Sequence, residues 1–260
     1  MTPNGVGIVC ALAREARHLG GAGGCLTEPL PQAKAASRVV RMVSLDDGTL
    51  LAISGMGGAA ARSAADTLID AGVRALASWG MAGGLDPTLA PGTVCLPEEV
   101  TTPDGKPLRT TDYWRERLGC ALSGREAVHR GRLLTVGTPV GSPADKAALH
   151  AQTGAVAVDM ESAAVAEVAR GRGLPFIAVR VIVDGAHDVL PRTIAAAADQ
   201  SGEVHLWQLI GALARTPADL APMIRLARRY RSASRSLAAV ARTAPLARLA
   251  FPGGPDTARP

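Results

Sequence analysis

The chain has 260 residues, 47% of them hydrophobic and 20% charged, with a formal net charge of +5. This length buries one substantial core, and the absence of any run of about eighteen apolar residues excludes a spanning helix. The four cysteines (Cys10, Cys25, Cys95, Cys120) lack C-x-x-C spacing and the five histidines lack metal spacing, so reduced core thiols and no metal site are expected.

Met1–Gly7 has no basic start followed by an apolar signal stretch, which predicts a cytoplasmic protein. Val6–Cys10 reads as a strand, followed by Glu15. Gly20–Gly24 is a turn, and Arg38–Ser44 and Thr49–Ser54 are strands. Ser54-Gly55-Met56-Gly57 lets backbone amides approach an anion or a ribose closely. Gly55-x-Gly57-x-x-Ala60 half-fits a dinucleotide fingerprint, which requires an acid at the end of the next strand. That strand, Val73–Trp79, ends Ala77-Ser78-Trp79, so a dinucleotide site is rejected and no cofactor is expected. Residues 58–71 are helical, with Ala61, Ala65, Leu68 and Ile69 on one face. Pro103–Lys106 is a loop, Asp112–Leu122 a helix, Arg132–Val136 a strand and Pro143–Ala151 a helix.

Ala155–Val158 then reads as a buried strand, Glu161–Arg172 as a helix and Pro175–Val183 as a second apolar strand interrupted by Arg180. This strand–helix–strand unit builds parallel sheets, and Asp159 and Asp184 lie just past the strand ends, where α/β folds bind ligands. The strand–helix alternation predicts a single α/β domain over 1–200 with a mixed, twisted central sheet flanked by helices.

After Pro191 the character changes. Val204–Ala214 and Pro217–Ala227 are helical, the second opening at Thr216-Pro217, and Arg228–Arg242 continues as a basic stretch. Residues 203–260 hold nine arginines against Glu203, Asp219 and Asp256, so the chain's positive charge belongs to this tail. A basic helical extension over 201–250 suggests an anionic surface as partner. Aromatic residues there are few, which favours lipid over nucleic acid. Pro252–Pro260 is expected to be disordered, within a tail over 251–260.

Val158-Asp159-Met160-Glu161-Ser162 and Arg180-Val181-Ile182-Val183-Asp184 resemble the V-E-M-E-A-A-A and R-A-I-S-D segments of the nucleoside phosphorylase and nucleosidase superfamily. Gly7–Glu15 is similar to its first strand and glutamate, Ser54–Gly58 to its S-G-I-G loop, and Gly80–Leu85, continued by Pro91–Val94, to its G-S-A-G-G-L turn. The resemblance spans about residues 5–190, and these segments occur in the family's order. Within the superfamily, the 158–162 segment, Val183-Asp184, Leu190-Pro191 and the tail from Val204 to Leu226 look most like the hopanoid-associated phosphorylase branch.

The resemblance implies cleavage of the bond between a base and ribose. Asp184 would protonate purine N7, a task that burial assists by raising its pKa. Glu161 would accept hydrogen bonds from the ribose diol while Met160 packs on the sugar face. Glu15 would orient the attacking water or contact ribose beside a phosphate. Arg14 and Arg180 are the cations available to a phosphate co-substrate. A structural ion pair of Arg180 with Glu161 or Glu15 is the competing role. Ser54 and Gly57 would approach the ribose, and Val140, within the small Gly137–Gly141 segment, would leave room for a large 5′ substituent.

Met81 stands where some phosphorylases have a phosphate-contacting serine, and Ser78 where they have arginine. A phosphate site would therefore be built differently. The branch resemblance implies adenosylhopane as substrate, with adenine and a ribosyl or phosphoribosyl hopane as products. The alternatives are a methylthioadenosine/adenosylhomocysteine nucleosidase and a non-catalytic, membrane-peripheral nucleoside-binding protein. The family resemblance implies a homodimer, and the tail a peripheral contact with the inner membrane face.

Overall fold

A computed structural model describes residues 5–19, 41–105, 107–189 and 220–251. The strands are β1 (Val6–Cys10), β2 (Arg41–Ser44), β3 (Leu50–Ile53), β4 (Ala75–Gly84), β5 (Val94–Cys95), β6 (Glu99–Thr101), β7 (Leu108–Arg109), β8 (Val128–His129), β9 (Arg132–Thr135), β10 (Ala155–Asp159) and β11 (Phe176–Asp184). The helices are α1 (Ala13–Ala16), α2 (Gly58–Asp70), α3 (Asp112–Leu122), α4 (Pro143–Thr153), α5 (Ser162–Gly171), α6 (Leu220–Thr243) and α7 (Leu246–Leu249). The predicted stretches Gly20–Gly24, Val204–Ala214, Thr216-Pro217 and Pro252–Pro260 lie outside the described residues.

β1 has no polar residue and is buried throughout, as a strand covered on both faces must be. It pairs in parallel with β3 and β4, while β2 closes that side antiparallel to β3. β11 runs parallel along β4. Where β1 ends, opposite Trp79, β10 takes the vacated edge of β4 and pairs antiparallel with Gly83 and Gly84. β9, β6 and β7 continue the sheet beyond β10. The sheet is mixed, and β4 is the strand shared by its two halves.

The Gly80–Leu85 segment is therefore not the turn expected from the resemblance. β4 runs five residues past Trp79, to Gly84, because β11 supplies a hydrogen-bonding partner along its length. Its glycines mark close approaches rather than a reversal. A Cβ on Gly84 would lie 3.3 Å from both Asp184 O and Ile182 Cγ2. The two-residue strands β5, β7 and β8 were not expected, since two residues carry no periodicity.

Strand alternation sorts the core. Phe176, Ala178 and Ile182 face α2 and α5, whose alanines (Ala61, Ala64 and Ala65; Ala163, Ala166 and Ala169) allow close packing. Ile177, Val179 and Val181 face the other way, onto Trp79, α3 and α6. Ala233, Leu237 and Val240 of α6 are fully buried there, so the extension's apolar face belongs to the core of the body. Arg225, Arg228, Arg231, Arg235 and Arg242 remain exposed on the same helix, which has no acid between Leu220 and Thr243.

Leu237→Ala should destabilise the protein by about 2–5 kcal/mol, the usual cost of emptying a fully buried leucine site. Equilibrium urea unfolding followed by far-UV circular dichroism measures it. A loss below about 0.5 kcal/mol would mean that α6 rests on the body without sharing its core.

Candidate active site

The carboxyl ends of β1, β10 and β11 and the second half of β4 meet around one cavity. It encloses about 750 Å³ of empty space, its open mouth included. Glu15, Glu161, Asp184, Met160, Arg180 and Val140, all singled out from the sequence, line it. Ser54 and Gly57 do not. The Ser54 hydroxyl donates to Gly55 O (2.7 Å), and the Gly57 amide is occupied by Glu161. They shape the wall rather than form it, while Met56 between them reaches the cavity.

Arg180 is the centre of the charge network. β11 places it in the sheet, 2% exposed, where a guanidinium needs acceptors for its donors. Its Nε lies 2.7 Å from Asp159 Oδ2, and its Nη2 donates to Ser78 Oγ (2.7 Å) and Ser162 Oγ (3.0 Å). Asp159 also accepts from Thr135 Oγ1 at 2.6 Å and from the Ser162 amide. Asp159 thus caps the start of α5 and pairs with Arg180 at once. Glu161 Oε2 stands 4.0 Å from Arg180 Nη2. The structural partner of Arg180 is thus first Asp159, and not the Glu161 or Glu15 expected from the sequence. Ser78 serves here as an acceptor for Arg180.

Glu161 is the N-cap residue of α5, and its Oε1 accepts from the Gly57 amide at 2.9 Å. Burial pushes its pKa up to about 7, with the Asp159 charge adding to the rise and Arg180 opposing it. Met160 lies beside it on the cavity wall.

Glu15 sits in the one-turn helix α1 and is 5% exposed. Its Oε1 accepts the Met81 amide at 3.2 Å, and the Trp79 indole donates to its main-chain oxygen at 3.4 Å. Burial raises its pKa, and the Arg180 charge opposes the rise. Gly80 lets these two groups approach. A Cβ there would lie 2.9 Å from Arg180 Nη1 and 3.0 Å from Glu15 Oε2. Arg14 is placed differently: its guanidinium is 5.1 Å from the centre of the Tyr230 ring of α6.

Asp184 ends β11 and is 6% exposed. Its Oδ2 accepts from Lys146 Nζ, whose other donors reach Gly185 O (2.8 Å) and Asp188 O (3.2 Å). Burial raises the Asp184 pKa, and Lys146 holds the rise back. Among the described residues Oδ1 accepts no hydrogen bond, so it remains for a ligand. Lys146 was missed from the sequence. It is fully buried, in the second half-turn of α4 after the Ser142 N-cap and Pro143. The available signal was rarity: the chain has three lysines among 28 basic residues. A compact ammonium with three separately aimed donors fits this pocket as a planar guanidinium does not.

A sequence model of the Phosphorylase superfamily matches residues 6–206. The 5′-methylthioadenosine/S-adenosylhomocysteine nucleosidase of Mycobacterium bovis is 27% identical, over 69% of this chain and 85% of that protein. Among solved structures, the Helicobacter pylori nucleosidase of that name with 5′-methylthioadenosine in its active site superposes with a TM-score of 0.65. It is 18% identical and the match covers 90% of this chain and 96% of that one. Futalosine hydrolase of the same organism gives 0.67 at 17% identity, with the same coverage. These structures share the fold. The family match contains every described strand of the sheet and the cavity carboxylates Glu15, Asp159, Glu161 and Asp184, and the chain belongs to the phosphorylase superfamily.

Proposed function

We propose that the protein hydrolyses the N-glycosidic bond of a 5′-modified adenosine. The observation that carries this reading is the convergence of Glu15, Glu161 and Asp184 on one cavity, each in an environment suited to a separate task. Asp184, its pKa raised by burial and its Oδ1 free, donates a proton to N7 so that the base leaves neutral. Glu161 accepts hydrogen bonds from the ribose diol, with the Met160 thioether against the sugar. As the bond to the base lengthens, the ribose gains positive charge, which the surrounding carboxylates stabilise. Glu15 takes a proton from the water that attacks the anomeric carbon, and Arg180 beside it orients that water.

Water is favoured over phosphate by charge. The described cavity lining holds four carboxylates (Glu15, Asp159, Glu161, Asp184) against one guanidinium. Arg180 is already matched by Asp159, Lys146 by Asp184, and Arg14 lies over Tyr230. Among the described residues around the cavity, no cation is left without a partner to receive a phosphate dianion.

Within this substrate class, adenosylhopane is the member favoured by the sequence resemblance. An apolar wall that includes Leu12, Met56, Met81, Pro139 and Val140 suits a hydrophobic 5′ group. The exposed arginines of α6 suit an anionic membrane where such a lipid resides. The test is adenine release by the full chain from adenosylhopane in anionic vesicles and from 5′-methylthioadenosine in solution, with and without phosphate. Adenine and a free ribosyl product at a rate indifferent to phosphate are expected. A phosphorylated sugar would make the enzyme a phosphorylase. Faster release from methylthioadenosine would remove the lipid assignment.

Asp184→Asn keeps the shape and removes the transferable proton. It should lower the rate of adenine release about 10²- to 10⁴-fold while substrate binding, measured by calorimetry, stays within a few fold. Near-normal turnover would take Asp184 out of the reaction.

Glu161 also makes stability depend on pH. Its folded-state pKa lies above the unfolded value, so its contribution is most favourable below the unfolded pKa and is lost as pH rises through about 7. Glu161→Gln should therefore raise the melting temperature of the ligand-free protein at pH 8 by a few degrees and change little at pH 5. An equal shift at both pH values would mean that the carboxylate is not held above its ordinary range.

A further inference from the structure

α6 does more than complete the core. Arg229, unlike its exposed neighbours Arg225, Arg228 and Arg231, turns inward, and its Nη2 lies 2.7 Å from Asp188 Oδ1. The other Asp188 oxygen accepts the Gly185 amide at 2.8 Å, and the Asp188 amide donates back to Gly185 O at 3.1 Å. These bonds close the turn that follows Asp184. The Gly185 and Asp188 carbonyls of that turn are two of the three acceptors of Lys146, and the third is Asp184 itself. A continuous path thus runs from a side chain on the C-terminal helix to the candidate proton donor. The next residue of the helix, Tyr230, fixes the helix at this point by carrying the Arg14 guanidinium over its ring, one residue before Glu15.

We propose that Arg229 is a positioning residue for Asp184, acting through Asp188 and the 185–188 turn to hold Lys146 and the carboxyl group in register. The catalytic part of this inference rests on the function proposed above. An ordinary surface ion pair contributes little to stability. This one differs because Asp188 uses both oxygens, one on Arg229 and one on the turn backbone. The side chains of Asp188 and Arg229 are only 16% and 31% exposed. Losing Arg229 leaves Asp188 free to leave the turn, which loosens two of the three acceptors of Lys146.

The charged groups that face Asp184 are Lys146 from α4, Asp188 from the turn and Arg229 from α6. Lys146 and Arg229 favour its carboxylate form, and Asp188 opposes it. Removing the Arg229 charge therefore moves the Asp184 titration to higher pH. A loss of packing alone carries no such sign.

The experiment uses full-length wild type, Arg229→Gln, Arg229→Lys, Asp188→Asn and the Arg229→Gln/Asp188→Asn double variant. Adenine release from 5′-methylthioadenosine is measured against pH. The Asp184 carboxyl carbon of the ligand-free proteins is titrated by 13C NMR, with Asp184→Asn for assignment. Arg229→Gln should lower kcat about tenfold with KM within about twofold, and shift the Asp184 titration upward. Arg229→Lys should recover most of both effects. The double variant should be no worse than the poorer single one, since both act through one contact. Wild-type kcat and an unmoved titration in Arg229→Gln would overturn the proposal, as would equal losses in Arg229→Lys. If wild type releases adenine from neither 5′-methylthioadenosine nor adenosylhopane in anionic vesicles, the functional reading fails, and the titration shift still decides whether Arg229 is coupled to Asp184.

Discussion

One buried guanidinium organises this molecule. Arg180 sits inside the sheet, and an unpaired charge there would cost several kcal/mol in lost hydration. Its solvation is rebuilt from Asp159, Ser78 and Ser162, drawn from three separate elements. Each of those residues is fixed in turn. Asp159 ends β10 and caps α5, Ser162 opens α5, and Ser78 lies on β4, which pairs with β11 on one edge and with β1 on the other. The absence of a side chain at Gly80 lets Glu15 share the same space. Two further acids stand beside a cation that Asp159 already satisfies, so their carboxylates are under-compensated. That is why burial prevails and both Glu15 and Glu161 have raised pKa values.

Asp184 shows the opposite balance on the far side of the cavity. It has a cation of its own, and Lys146 is satisfied entirely by Asp184 and two carbonyls. A lysine in this position restrains the pKa rise that burial alone would cause, and it holds one oxygen while leaving the other to face a ligand. The site thus sets three of its carboxylates in different environments: Glu15 near a guanidinium, Glu161 at a helix start, and Asp184 clamped by an ammonium. Chemically identical groups acquire different roles through their neighbours.

How much of this could be read from the sequence follows from how local each signal is. Asp112–Leu122 was legible to the residue, because its helix signals lie within the segment. The place of Glu15, Glu161, Asp184, Met160, Val140 and Arg180 on one cavity was legible because short motifs at or near strand ends carry most of them. The length of β4 was not, since glycines read as a turn unless the partner strand is known. Lys146 and the pairing of Asp159 with Arg180 were not, because they rest on contacts 38 and 21 residues away in sequence. Arg14 was placed among the phosphate candidates by proximity to Glu15 in the chain, yet the adjacent positions of a one-turn helix point in different directions, and its guanidinium meets Tyr230.

The C-terminal helix packs into the core with one face and presents a row of arginines on another. Its spacing permits both, because Ala233, Leu237 and Val240 recur on one face while Arg225, Arg228, Arg231, Arg235 and Arg242 recur on another. The apolar face is bound into the same core as Trp79 and β11, so the helix cannot leave the body without exposing the sheet that carries Arg180. The arginine face is therefore presented by a helix whose opposite side is packed on that sheet, and which reaches the residues around the cavity through Arg229 to Asp188 and Tyr230 to Arg14.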